Sequence, residues 1–146
     1  MKVINEFSIK FMSKSENESF ARIITTAFMS QFSPTVEDIA DLKTAVSEAV
    51  TNCVVHAYKN TGGHIQLSGK YYENGKLRIT VKDKGCGIPN IQKAREPLYT
   101  TDAENERSGM GFSIMESFTD KLRVTSVPAK GTTVIMEKNI GCKKST

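Results

Sequence analysis

Apolar and polar positions alternate at the start of the chain. Phe7, Ile9 and Phe11 are separated by Ser8 and Lys10, the period of a half-buried strand. Ser15-Glu16-Asn17-Glu18 then reads as a capping box that opens a helix. Phe20, Ile23, Ile24, Ala27 and Phe28 follow at helical spacing until Pro34 ends the run. Thr35 predicts the cap of a second helix, whose apolar stripe is Ile39, Leu42, Val46, Ala49, Val50 and Cys53. That signal fades at Asn60-Thr61-Gly62-Gly63. Alternation returns at Ile65, Leu67, Gly69 and Tyr71, and again at Leu77, Ile79 and Val81. Asn74-Gly75 between them is a two-residue hairpin signal. Residues 83–111 are rich in Gly, Pro and polar groups and have little periodicity; a loop this long in a compact domain is usually functional or mobile. A short helix with Phe112, Ile114, Met115 and Phe118 follows, then a strand with Leu122 and Val124, a turn from Pro128 to Gly131, and a last strand from Thr132 to Met136. Helices early and strands late predict an α+β sandwich, with helices on one face of a mostly antiparallel sheet.

Composition narrows the class without naming a function. The 146 residues are 38% hydrophobic and 25% charged, which fits one soluble globular domain able to bury a core without staples. The net charge of +4 comes from 20 Lys/Arg against 16 Asp/Glu. Part of it sits in the tail at Lys138, Lys143 and Lys144, and no aromatic-interleaved basic stretch points to nucleic acid. The three cysteines, Cys53, Cys86 and Cys142, have no CxxC spacing, which argues against a disulfide frame or a zinc site and for a reducing cytoplasm. No apolar run suits a signal peptide or a membrane span.

Four short patterns carry chemistry. Glu48 and Asn52 are four apart on the second helix and share a face. An Asn amide oxygen can serve magnesium when phosphates supply the other ligands, and a Glu one turn away can orient or deprotonate a hydroxyl. Taken alone, an exposed Glu and a solvated Asn explain the pair better. Asp83-Lys84-Gly85-Cys86-Gly87 follows a strand; its carboxylate can accept from the exocyclic amine of adenine and would reject the carbonyl of guanine. An ordinary surface turn fits it equally. Ser108-Gly109-Met110-Gly111 precedes a helix, where free N–H groups can bind phosphate. Arg107 can pair with a terminal phosphate. A flexible linker also fits that stretch. Thr132, after Gly131, can bond a base or its water, or simply open a strand. There is no G-x-x-x-x-G-K-[ST] loop opening a helix and no H-R-D or D-F-G set.

Their order is more specific than any one of them. An E-x-x-x-N helix, then D-x-G-x-G, then G-x-G opening a helix, then G-T-T on a late strand resembles the gyrase, Hsp90, histidine-kinase and MutL superfamily. The resemblance covers nearly the whole chain and implies a Bergerat-type two-layer sandwich, with residues 1–146 as a single ATP-binding domain. The stretch from Ser47 to Tyr58, with Ser15 to Arg22 and Arg107 to Phe112, is similar to the anti-sigma F factor family within it. That likeness implies a protein serine/threonine kinase that binds and inhibits sigma-F and phosphorylates its anti-anti-sigma factor antagonist on serine. ATP and Mg2+ are the implied cofactors. Glu48 matches the catalytic base, Asn52 the magnesium ligand and Asp83 the adenine contact. Gly85, Gly87, Gly109 and Gly111 match the nucleotide-loop glycines. Thr100, Thr101 and Arg107 match phosphate contacts on a lid of about residues 88–108; Ser108, Met110 and Thr132 complete the expected nucleotide set. Arg22 matches a partner-binding position; by spacing alone it is a solvated helix residue. A homodimer through the first strand and helix is implied as well, with no direct nucleic-acid or membrane partner.

Two features separate the readings within this superfamily. The chain has no room for the helical hairpin of a complete sensor kinase or for the further domains of gyrase-like relatives. Glu48 suits a hydroxyl acceptor, which must lose a proton, better than a neutral imidazole. The rival is a binding module that holds ATP to stabilise a sigma-binding shape without significant turnover.

Overall fold

The computed structural model describes residues 1–58, 62–85 and 111–140. Five strands form one antiparallel sheet: β1 (Val3–Met12), β2 (His64–Tyr72), β3 (Lys76–Asp83), β4 (Lys121–Val127) and β5 (Gly131–Asn139), in the order β1-β2-β3-β5-β4. The described α-helices are α1 (Asn17–Met29), α2 (Val36–Asn52) and α3 (Gly111–Ser117). This is the α+β sandwich that the alternation predicts.

Strand register explains where the core sits. Ile9, Leu67, Val81, Val134 and Val124 form one row across all five strands, and Phe7, Gly69, Ile79, Met136 and Leu122 form the next. Side chains of one row share a face, so this face is apolar and packs with Leu42, Val46, Ala49 and Val50 of α2 and Met115 of α3 in one buried cluster. A third row begins apolar and turns polar: Phe11, Ile65, Asp83, Thr132 and Ser126. That row carries the chemistry described below.

Two local expectations need correction. Ser15 and Glu18 do not form a capping box: α1 has no side-chain cap, and the Glu18 N–H donates to the Ser15 carbonyl. The Glu18 carboxylate is engaged elsewhere, with Ser47 and Arg22. The β2–β3 loop has three residues rather than two. The Gly75 N–H closes a turn on the Tyr72 carbonyl at 2.9 Å, and Gly75 takes φ 91°, so the glycine follows the turn instead of sitting within it.

Thr35 is the cap that the sequence predicts. Its hydroxyl accepts from the Asp38 N–H at 2.9 Å, and the Asp38 carboxylate accepts from the Thr35 N–H at 3.0 Å. This reciprocal pair fixes the start of the helix that carries Glu48 and Asn52. Thr35→Ala should lower the unfolding free energy by about 0.5–2 kcal/mol, read by urea denaturation. An unchanged midpoint would mean that packing alone sets the start of α2.

Candidate nucleotide site

Asp83 ends β3 on the inward face and is only 6% exposed. A buried carboxylate needs donors, and three elements supply them. The Gly85 N–H reaches Oδ1 at 2.8 Å, the Thr132 N–H reaches the same oxygen at 3.3 Å, and the Cys53 thiol lies 3.4 Å from Oδ2. No cation pairs with Asp83 among the described residues. Burial therefore raises its pKa, and the hydrogen bonds from Gly85, Cys53 and Thr132 pull it back only in part. Gly131 lets β5 approach this closely: its φ is 129°, and an added Cβ would press on the Asp83 carbonyl and lie 2.8 Å from the Lys84 Cα.

The second half of the site lies where α2 meets α3. A Cβ built on Gly111 would fall 3.2 Å from the Asn52 Oδ1 and 3.5 Å from the Glu48 Oε1. Both polar side chains of α2 thus converge on the first residue of α3, and the missing side chain keeps the space between them open. After Asn52 the backbone widens into a π-helical turn, Cys53–Ala57, closed by the Tyr58 N–H on the Cys53 carbonyl at 3.0 Å. This brings the Tyr58 hydroxyl between two strands, where it donates to the His64 carbonyl and accepts from the Lys84 N–H, both at 2.7 Å. Cys53 directly follows Asn52, so its contact with Asp83 joins the two halves.

The structure thus brings together Glu48, Asn52 and Gly111 at one end, and Asp83, Gly85 and Thr132 at the other. Gly87, Thr100, Thr101, Arg107, Ser108, Gly109 and Met110, and with them the expected lid, lie outside the described residues, as does Cys86. Arg22 sits apart on α1. Its Nε is 2.8 Å from the Glu18 Oε2, and its Nη2 donates to the Ser19 hydroxyl at 3.0 Å. Glu18 also accepts from the Ser47 hydroxyl, so Arg22 is linked to the residue before Glu48. Sequence reasoning missed Cys53 and Tyr58 as members of the site. Cys53 falls on the apolar stripe of α2 and so reads as core; its place directly after Asn52 is the one signal that could have found it.

A family model described as "Histidine kinase-like ATPase domain" matches residues 11–138. The anti-sigma F factor of Caldanaerobacter subterraneus subsp. tengcongensis is 53% identical over 97% of this chain and 98% of its own length. The chain belongs to the anti-sigma F factor family of histidine kinase-like ATPase domains. Solved structures agree on the fold. The RsbU and RsbW domains of a Mycobacterium tuberculosis protein superpose with a TM-score of 0.68 at 20% identity, covering 93% of this chain and 32% of that one. The histidine kinase domain of the Erythrobacter litoralis blue-light activated kinase gives 0.54 at 29% identity, covering 72% and 46%. Among the described residues, no helix is long and apolar enough to cross a membrane.

The raised pKa of Asp83 has a definite consequence for stability. Between the ordinary carboxylate value near 3.9 and the raised native value, the folded state holds more protons than the unfolded one. Stability from this group is therefore gained as pH falls through the native pKa and levels off below the unfolded one. The unfolding free energy of the wild type should rise relative to that of Asp83→Asn, which cannot titrate there, as pH falls from neutral toward 4. Parallel urea titrations across that window check this; a constant difference would contradict the burial penalty.

Proposed function

We propose that this chain is an ATP-dependent protein serine kinase and an anti-sigma factor. It would inhibit sigma-F by binding it and phosphorylate a serine of an anti-anti-sigma antagonist. The reading takes residues 1–146 as one ATP-binding domain working as a homodimer. The observation that carries it is the convergence of Glu48 and Asn52 on Gly111. A carboxylate and an amide oxygen meet at a helix start that has no side chain to block a phosphate. The donor set fits Mg2+-ATP: a hard amide oxygen beside a carboxylate, and a separate buried acceptor at Asp83 with no cation to satisfy it among the described residues.

In this reading ATP and its magnesium, when bound, supply the phosphoryl group and neutralise its charge. Asn52 would hold the metal through its amide oxygen. Asp83 would accept from the adenine amine and repel a guanine carbonyl at the same place. Glu48 takes the proton of the serine hydroxyl as that oxygen bonds to the terminal phosphorus and ADP departs. Gly87 and Gly109 would serve as nucleotide-loop glycines, Thr100, Thr101 and Arg107 would contact the phosphates, Ser108 and Met110 would complete the nucleotide contacts, and Thr132 would support the base. Arg22, at the surface and linked through Glu18 to Ser47, would meet the partner.

Glu48→Gln keeps the shape of the side chain and removes its basicity. It should lower serine phosphorylation about 10²–10⁴-fold, measured with labelled ATP and the purified antagonist, while ATP binding and sigma-F capture persist. Arg22→Ala should show the reverse pattern, with ATP binding intact and sigma-F capture weakened. Phosphorylation by Glu48→Gln at the wild-type rate would remove Glu48 from the chemistry. Absence of phosphate transfer in the wild type would leave an ATP-holding binding module as the better description.

A further inference from the structure

Cys53 is 4% exposed, and the phosphoryl-transfer chemistry above gives it no part. Among the described residues, its sulfur has one hydrogen-bond partner, Oδ2 of Asp83 at 3.4 Å. An ionised carboxylate has no hydrogen to give and a thiol has one, so in this contact the S–H donates and the oxygen accepts. An ionised carboxylate has about four acceptor positions. Two on Oδ1 are taken by the N–H groups of Gly85 and Thr132, and one on Oδ2 is taken by the thiol. Among the described residues, a single acceptor position remains, on Oδ2.

We propose that Cys53 is a specificity-determining positioning residue. Its S–H occupies one side of Asp83 Oδ2 and so fixes the direction in which the remaining lone pair meets the amine of a purine. The inference rests on Asp83 being the adenine contact and adds that its selectivity is set from beneath by the thiol. The backbone donors hold only Oδ1. Without the thiol, the Oδ2 side is open to water, and the amine must then compete with that water for the oxygen. A side chain that served only to fill the core would affect every nucleotide alike. A positioning donor affects only nucleotides that carry the amine.

The test compares ATP with purine riboside triphosphate, which lacks the 6-amino group, by titration calorimetry on the full chain. Cys53→Ala should weaken ATP about three- to tenfold, the scale of one hydrogen bond, and leave the des-amino analogue unchanged. The preference for ATP shrinks accordingly. Cys53→Ser, which restores a donor in nearly the same volume, should return the preference to the wild-type value. This second variant also serves if the alanine form folds poorly. Equal weakening of both nucleotides in Cys53→Ala, or an unchanged preference, would overturn the proposal. So would a Cys53→Ser protein that folds but does not recover the preference. Asp83→Asn is measured beside them. If it leaves the preference for ATP intact, the adenine reading of Asp83 has failed and the role of Cys53 falls with it. If it abolishes the preference while Cys53→Ala does not, only the positioning role is lost.

Discussion

The arrangement of the site depends on one buried carboxylate without a counter-ion among the described residues. Leaving a charged acceptor without its donors costs more than an ordinary hydrogen bond is worth, so Asp83 constrains everything that touches it. Its donors come from the loop after β3, from the start of β5 and from the turn after α2. A shift of any one of these elements strands an acceptor in the core. The glycine that opens β5 and the π-helical turn that follows α2 both belong to this constraint. The first permits close backbone approach, and the second carries Cys53 to the carboxylate.

The same constraint sets the spacing between the two ends of the site. Asn52 and Cys53 are adjacent in the chain, yet one borders Gly111 and the other borders Asp83. The end of α2 is thus the shared wall between the buried Asp83 acceptor and the polar pair Glu48 and Asn52. Tyr58 fastens the far side of this wall, bridging the start of β2 and the end of β3 through its hydroxyl. At the other end, Glu18 accepts from Ser47 and pairs with Arg22, so the surface of α1 and the Glu48 turn share one anion.

Much of this was legible in the sequence, for physical reasons that differ by element. Strands with one buried face must alternate, and Ile65 to Tyr71 and Leu77 to Val81 do so without exception. The Glu48–Asn52 pair follows from helical geometry alone. Its convergence with Gly111 does not, because that approach is made between residues about sixty positions apart in the sequence. Local motifs misled where a side chain had a better partner far away. Ser15-x-x-Glu18 has the letters of a capping box, but Glu18 is drawn to Ser47 and Arg22. Cys53 was hidden in the opposite way: a thiol is apolar enough to sit in a hydrophobic stripe, and nothing in the stripe reveals that its one hydrogen faces a carboxylate. The widening of α2 into a π turn likewise leaves no mark on the apolar period.

Glu137 and Asp83 show how differently one sheet can hold two buried carboxylates. Glu137 on β5 is as little exposed as Asp83, at 6% each. Arg78 grips it through Nε and Nη2, both at 2.9 Å, and Lys76 stands 3.5 Å away. Burial would raise its pKa, but the hydrogen bond and charges of these cations prevail and hold it below the usual value. Its stabilisation is present above the unfolded pKa and is lost as pH falls through the native one. Asp83 behaves in the opposite sense: its buried charge costs stability, and only neutral donors offset part of that cost. A cation at Asp83 would relieve the penalty but would also occupy the acceptor that an incoming amine requires. The absence of such a cation among the described residues is therefore what the adenine reading demands of this position, and Glu137 shows that the same sheet can supply cations where a carboxylate has only to hold strands together.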